Sequence, residues 1–329
     1  MMHSIIVSGY GSSPRETIAG YHADELGGYQ KLWEASIENA SFLCRGKGYL
    51  FAVTEHDDYA AVYMLKPEGG ECRLLDEKRL QGGALCHIAY SAKNKALFGA
   101  CYGTGSVFSI RVEENCFGEI LYNEIQKAED EKGLTRAHCV LLGHREDELL
   151  TVNIALDQII VYKLDGGYPS LSSCISLPSG TGPRHAIYSE DEKYLYVITE
   201  YSNEIFIYRT EDRLLLQRVS TLPESYRGES YCSTLCFSRD GRFLYGANRG
   251  AETIVQFEVN GDGTLTWVED YPCGGRHPRH MILSEDGNRL IICNQNSDQV
   301  VAFSLEEQSG RLGDQVFELE FYKPAGILG

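Results

Sequence analysis

The chain has 329 residues, 43% hydrophobic and 23% charged, which excludes wholesale disorder and allows a large core without disulfide or metal staples. Thirty Lys and Arg stand against 47 Asp and Glu, a net charge of −17. Such a surface repels a phosphate backbone, which excludes a general nucleic-acid binder but not a local basic pocket for a small anion.

The first expected element is a strand over residues 4–9, Ser-Ile-Ile-Val-Ser-Gly. Residues 41–63 then give a short apolar strand, a polar turn, a second strand, another turn and a third, alternating strand. The pattern returns at 86–110, 137–162, 183–208, 233–257 and 278–303. The two clearest copies are PRHAIYSEDEKYLYVITEYSNEIFIY from Pro183 and PRHMILSEDGNRLIICNQNSDQVVAF from Pro278. The residue ending each second strand falls at Glu55, Tyr102, Ile154, Glu200, Arg249 and Gln295, with a seventh near Gly9. These steps of 46 to 52 residues are the size of a four-stranded propeller blade. No amphipathic helix of ordinary length is visible. The expected fold is all-β: a seven-bladed β-propeller of four-stranded blades, forming one domain over residues 1–329. The first blade begins on its second strand, and residues 324–329 sit where another first strand would start. The C-terminal segment is therefore expected to pair with the N-terminal blade and close the ring.

A residue every blade needs recurs in the copies, whereas a residue serving one site does not. Arg184 and Arg279 share one position at the start of the first strand, where the other copies carry Cys86, Ala137 and Ser233. A guanidinium offers a planar fork for carboxylate or phosphate, so these two arginines are candidate anion binders. The next position holds His87, His138, His185 and His280, against Thr234 in the fifth copy. These imidazoles either tie one blade to the next or move protons. Glu200 stands 16 residues after Arg184. It is a partner for the arginines or a base. Arg249, Asn294 and Gln295 occupy similar strand ends, as do Asn153 and Asn248, where side chains bind hydroxyls or shape turns. His277 and His280 form H-x-x-H, but on a strand entry, so no metal is expected. The sequence holds no G-x-S-x-G elbow, phosphate-binding P-loop or dinucleotide fingerprint, and no cofactor is implied. Eleven cysteines without a C-x-x-C pair read as reduced thiols of a cytoplasmic protein. No run approaches the ~20 apolar residues of a membrane span, so no membrane partner is expected.

The segments GPRHAIYSEDEKYLYVITEYSNEIFIY, SRDGRFLYGANRG and GGRHPRHMILSEDGNRLIICNQNSDQVVAF resemble the seven-bladed lactonase family. That family includes propeller-type 6-phosphogluconolactonases and carboxy-muconate lactonising enzymes. The resemblance covers nearly the whole chain. It implies a catalytic set of His138, Arg184, Glu200 and Arg279, and the residues at the repeat positions beside them, His87, His185, Arg249, His280, Asn294 and Gln295, are the expected substrate contacts. The implied activity is hydrolysis of a sugar lactone at the mouth of the central channel. The expected substrate is the anionic phosphosugar lactone 6-phospho-glucono-δ-lactone of the pentose phosphate pathway. One arginine would hold the phosphate and the other polarise the carbonyl, with Glu200 or His138 activating water. The alternatives are a muconate-type cyclising enzyme and a propeller that binds without catalysis.

Overall fold

Runs of Val, Ile, Leu, Phe and Tyr broken by Gly, Asn, Asp and Ser favour short strands, and strands are what form. The computed structural model describes residues 4–23, 28–127 and 133–329. Seven separate four-stranded antiparallel sheets account for nearly all regular structure, with one 3-10 turn at Gln295–Ser297 among the described residues.

Blade 1 comprises Leu43–Gly46, Tyr49–Glu55, Ala60–Glu68 and Glu71–Leu80. Blade 2 comprises Leu85–Ser91, Ala96–Cys101, Ser106–Val112 and Phe117–Ile125. Blade 3 comprises Ala137–Leu142, Glu148–Asn153, Gln158–Asp165 and Tyr168–Ser176. Blade 4 comprises Pro183–Tyr188, Tyr194–Thr199, Glu204–Arg209 and Leu215–Ser220. Blade 5 comprises Tyr231–Phe237, Phe243–Arg249, Thr253–Val259 and Leu265–Pro272. Blade 6 comprises Pro278–Leu283, Arg289–Asn294, Gln299–Leu305 and Leu312–Glu320. Blade 7 is shared by the two chain ends. Its order is Pro324–Leu328, Ser4–Gly9, Ile18–Ala23, Tyr29–Ala35, and Ile6, Val7 and Ser8 pair with Leu328, Ile327 and Gly326. The expected pairing of the C-terminal segment with the N-terminal blade is thus observed.

The chain divides into two compact units. One is Gly11–Ile18 with Trp33–Pro183, holding blades 1–3. The other is Met1–Tyr10, Ala19–Leu32 and Arg184–Gly329, holding blades 4–6 and most of blade 7. Within each, second strands are apolar on both faces because neighbouring sheets cover both. Tyr245 and Ala247 of blade 5 pack with Met281 and Ile292 of blade 6. Ile5 and Val7 of blade 7 pack with Ile291 and Val300 of blade 6. Fourth strands have buried and exposed positions side by side, as in Leu312–Glu320, because one face meets water.

The Ser-x-Asp turns have a local cause. Ser238 Oγ donates to Asp240 Oδ1 (2.7 Å) and accepts from the Phe243 amide (3.0 Å), while Asp240 Oδ1 takes the Arg242 amide (3.1 Å). Ser284 and Asp286 repeat the arrangement. These bonds satisfy the amides of a reversal that the ladder cannot reach. All eleven cysteines are free thiols, and no helix among the described residues is long and apolar enough to cross a membrane.

Candidate active site

Three backbone positions recur where a blade's first strand begins and its second ends. The entry residue precedes the first strand, a bulge residue follows two places on, and a marker residue follows the second strand. The marker amide donates to the entry carbonyl: Tyr10 to Lys323 (3.1 Å), Tyr102 to Ala84 (2.9 Å), Ile154 to Arg136 (2.9 Å) and Gln295 to His277 (3.1 Å). The seventh marker is therefore Tyr10, beside the Gly9 expected from spacing. Ala84, Gly182, His277 and Lys323 at the entry all have left-handed backbones, with φ from 42° to 64°.

The bulge corrects one alignment. Register shifts fall between Leu85 and His87, Ala137 and His138's successor Cys139, Cys232 and Leu235, and Pro278 and His280. The bulge residues are therefore Cys86, His138, Ser233 and Arg279. Arg184 stands at the same 16-residue distance from its marker Glu200 as His138 does from Ile154. His138 thus shares the position of Arg184 and Arg279, and Cys139 takes the place in the histidine row. A bulge absorbs one residue of its strand, so residue-by-residue matching slips where no Pro-Arg anchors it.

The remaining members of the histidine row tie consecutive blades together. His87 stacks on Phe42 (4.1 Å), meets Cys139 Sγ through Nε2 (3.7 Å) and lies 3.5 Å from the Val140 amide through Nδ1. Arg184 Nη1 is 3.3 Å from His185 Nε2, and His185 Nδ1 is 3.2 Å from Thr234 Oγ1. A guanidinium only donates, so Nε2 accepts and Nδ1 carries the proton it gives to Thr234. His280 Nδ1 accepts the Ile327 amide (3.2 Å), and its ring lies edge-on to His185 at 6.4 Å.

Blades 4–7 gather the arginines. Glu200 Oε2 sits 3.1 Å from Arg184 Nε and 3.2 Å from Arg249 Nη2. Arg184 is only 3% exposed and also donates to the Ser233 carbonyl. Arg249 donates to the carbonyls of Tyr231 (3.2 Å) and Cys232 (2.8 Å). Burial pulls the Arg249 pKa down, Glu200 pushes it back up, and Arg279 pulls it down again. Arg279 lies over the Tyr10 ring at 5.2 Å. Burial, then the guanidiniums of Arg249, Arg279 and Arg184, hold His277 down to about 4 against the pull of Glu200. Burial, Arg184 and Arg279 hold His280 near the same value. Asn294 donates to the Cys273 carbonyl (2.9 Å). Asn294 Oδ1 and Gln295 Oε1 are buried acceptors with no hydrogen-bond donor among the described residues. Asn153 and Asn248 are spent on their turns: Asn153 bonds Gln126 and Thr135, and Asn248 bonds Thr221 and Thr253.

In the other unit, Arg136 donates to Tyr102 Oη (2.6 Å) and covers the Tyr102 ring at 4.8 Å. That ring lies edge-on to His138 at 6.0 Å. Neither Tyr10 nor Arg136 stood out in the sequence, and His277 stood out there only as part of an H-x-x-H pair. Arg136 and His277 share an entry position that takes Ala84 and Gly182 in other blades, and Tyr10 shares the marker position of Tyr102. No group of three or more His, Cys, Asp or Glu among the described residues could hold a metal.

The family model for the lactonase 7-bladed beta-propeller matches residues 4–328, and the chain belongs to that family of lactone hydrolases. A 6-phosphogluconolactonase of Bacillus subtilis is 28% identical over 84% of this chain and 83% of its own length. A solved periplasmic gluconolactonase of Pseudomonas aeruginosa superposes with a TM-score of 0.92 at 25% identity, covering 100% of this chain and 99% of that one. A putative 6-phosphogluconolactonase of Bacteroides fragilis shares the fold with a TM-score of 0.90 at 22% identity, over 99% and 97% of the two chains.

Proposed function

We propose that this protein hydrolyses an anionic sugar lactone, with 6-phospho-glucono-δ-lactone as the substrate and 6-phosphogluconate as the product. The observation that carries the reading is the charge of the cluster. Arg184 and Arg249 pair with Glu200, Arg279 lies two residues beyond His277 over the Tyr10 ring, Glu252 holds the His277 amide, and His277 and His280 are held neutral. An excess of fixed cations on a protein of net charge −17 suits a small dianion. Arg279, the more accessible of the two bulge arginines, takes the phosphate. Arg184, held by Glu200 and the Ser233 carbonyl, polarises the lactone carbonyl as negative charge develops on it. Glu200 positions Arg184 and Arg249. Gln295 Oε1 accepts from a sugar hydroxyl. This substrate would put the reaction in the pentose phosphate pathway, and eleven cysteines without a disulfide support a cytoplasmic setting.

The test is hydrolysis of freshly generated 6-phosphogluconolactone, read above spontaneous opening. The wild type should be fast, and Arg279→Ala and Glu200→Gln should each lose 100-fold or more in kcat/KM. Equal rates with the unphosphorylated lactone would reject the phosphate assignment, and no rate above background would reject the reading.

A further inference from the structure

The residue that handles the proton has to be a base with a nitrogen or oxygen open to water, beside the arginines that hold the lactone. The histidine row does not supply it in blades 4–7. His185 has both ring nitrogens engaged by Arg184 and Thr234, and His280 has Nδ1 on the Ile327 amide. Glu200 Oε2 is shared by two guanidiniums, so protonating it would weaken both ion pairs.

His277 is different. Its backbone is clamped on both sides: the amide donates to Glu252 Oε2, and the carbonyl accepts from Gln295. Its side chain is partly exposed, and its ring nitrogens make no hydrogen bond with any described residue. The clamp belongs to the blade and not to this residue. Asp157 grips the Gly182 amide (2.7 Å) and Asp298 the Lys323 amide (2.9 Å) in the same way. The entry position accepts Ala84, Arg136, Gly182, Tyr231 and Lys323 in other blades, so the fold does not require a histidine there. It favours glycine, because φ is +63° at His277 and +64° at Gly182. An imidazole is thus kept at a strained position beside three guanidiniums.

We propose that His277 is the general base of the lactone-opening reaction, a role that rests on the lactone reading above. An imidazole nitrogen of His277 removes a proton from water as the water oxygen bonds to the carbonyl carbon. The carbonyl π electrons move to the oxygen, which an arginine holds. Collapse of that tetrahedral species breaks the bond to the ring oxygen, and His277 returns its proton to the departing alkoxide. The new carboxyl group releases its own proton to solvent, so atoms and charge balance. The groups facing the ring also favour this timing. Burial and then Arg249, Arg279 and Arg184 keep it neutral when the site is empty, against Glu200 and the nearby Glu252 carboxylate. A bound anion offsets those guanidiniums and makes the imidazole more basic when substrate is present.

The experiment compares the wild type with His277→Gln and His277→Gly on freshly generated 6-phosphogluconolactone, with melting temperature measured alongside. Both variants should lose 10²- to 10⁴-fold in kcat. The glycine variant should melt no lower than the wild type, because glycine suits the backbone. Added imidazole should restore part of its rate, a response that a merely structural role would not give. A His277→Gln rate within about threefold of wild type overturns the proposal, as does a dead glycine variant that imidazole leaves unchanged. A wild type that opens no lactone overturns the lactone reading, and the base assignment with it.

Discussion

Blades 4 and 6 open on the same Pro-Arg-His, yet their arginines live in different surroundings. Arg184 is buried and fixed by Glu200, the Ser233 carbonyl and His185. Arg279 is partly exposed and lies over the Tyr10 ring. The two histidines that follow behave alike, each reaching the next blade. The difference lies at the marker, which is Glu200 in blade 4 and Gln295 in blade 6. A carboxylate there anchors the arginine of its own blade, whereas a neutral amide forms no ion pair with its arginine, which lies over the Tyr10 ring. The blade supplies the position, and the marker decides what the arginine is for.

The largest effect that would break this pairing comes from removing residues 324–329. They supply the buried side chains of Ala325 and Ile327, the ladder to Ser4–Gly9 and the amide that holds His280. Losing one apolar anchor costs about 2–3 kcal/mol, and the freed ladder groups add to that. The melting temperature should fall by about 10 °C or more, and Arg279 should lose its setting while Arg184 keeps its own contacts. An unchanged melt would show that blade 7 holds without its C-terminal strand.

Substituting the arginines singly comes next. Arg184→Ala leaves Glu200 with Arg249 as its remaining ion-pair partner in the pair described, so both stability and rate should suffer. The stability loss should be about 3 kcal/mol, typical of a broken buried pair. Arg279→Ala should cost rate with a stability change within about 1 kcal/mol. Denaturant melts of the two variants check the contrast. Equal destabilisation would mean that the marker does not distinguish them.

Much of this was legible in the sequence because a propeller repeats its instructions. The period, the turn serines and aspartates and the orphan first strand at residue 324 all follow from matching copies. The pairing of Arg184 with Glu200 also follows from their spacing. His138 was misplaced by one residue because a bulge is a backbone irregularity that leaves no fixed residue type behind. Tyr10 was missed because its blade is split between the chain ends, so its first strand lies more than 300 residues away. The link from Arg249 to Glu200 joins markers of successive blades, a contact that spacing within one blade cannot reveal. His277 stood out only as a metal-ligand candidate because its meaning lies in a left-handed backbone, which the sequence signals only when glycine fills it.

The smallest expected effect is a pH dependence that separates the two histidine environments. His280 is held near pKa 4 by burial and by the Arg184 and Arg279 guanidiniums. In the unfolded chain it titrates near 6.5. Between those values the unfolded chain binds more protons than the folded one, so stability falls as the pH drops from about 6.5 towards 4. The loss is at most ~3 kcal/mol for one such group. His277 acts in the same direction and more weakly, because solvent screens it. His280→Asn keeps an acceptor for the Ile327 amide but removes the titration. It should melt slightly below the wild type at pH 7 and close the gap by pH 4.5. Parallel melting curves across that range would mean that His280 carries its proton in the folded state. The edge-on contact with His185 beside Arg184 would then have to accommodate a second cation.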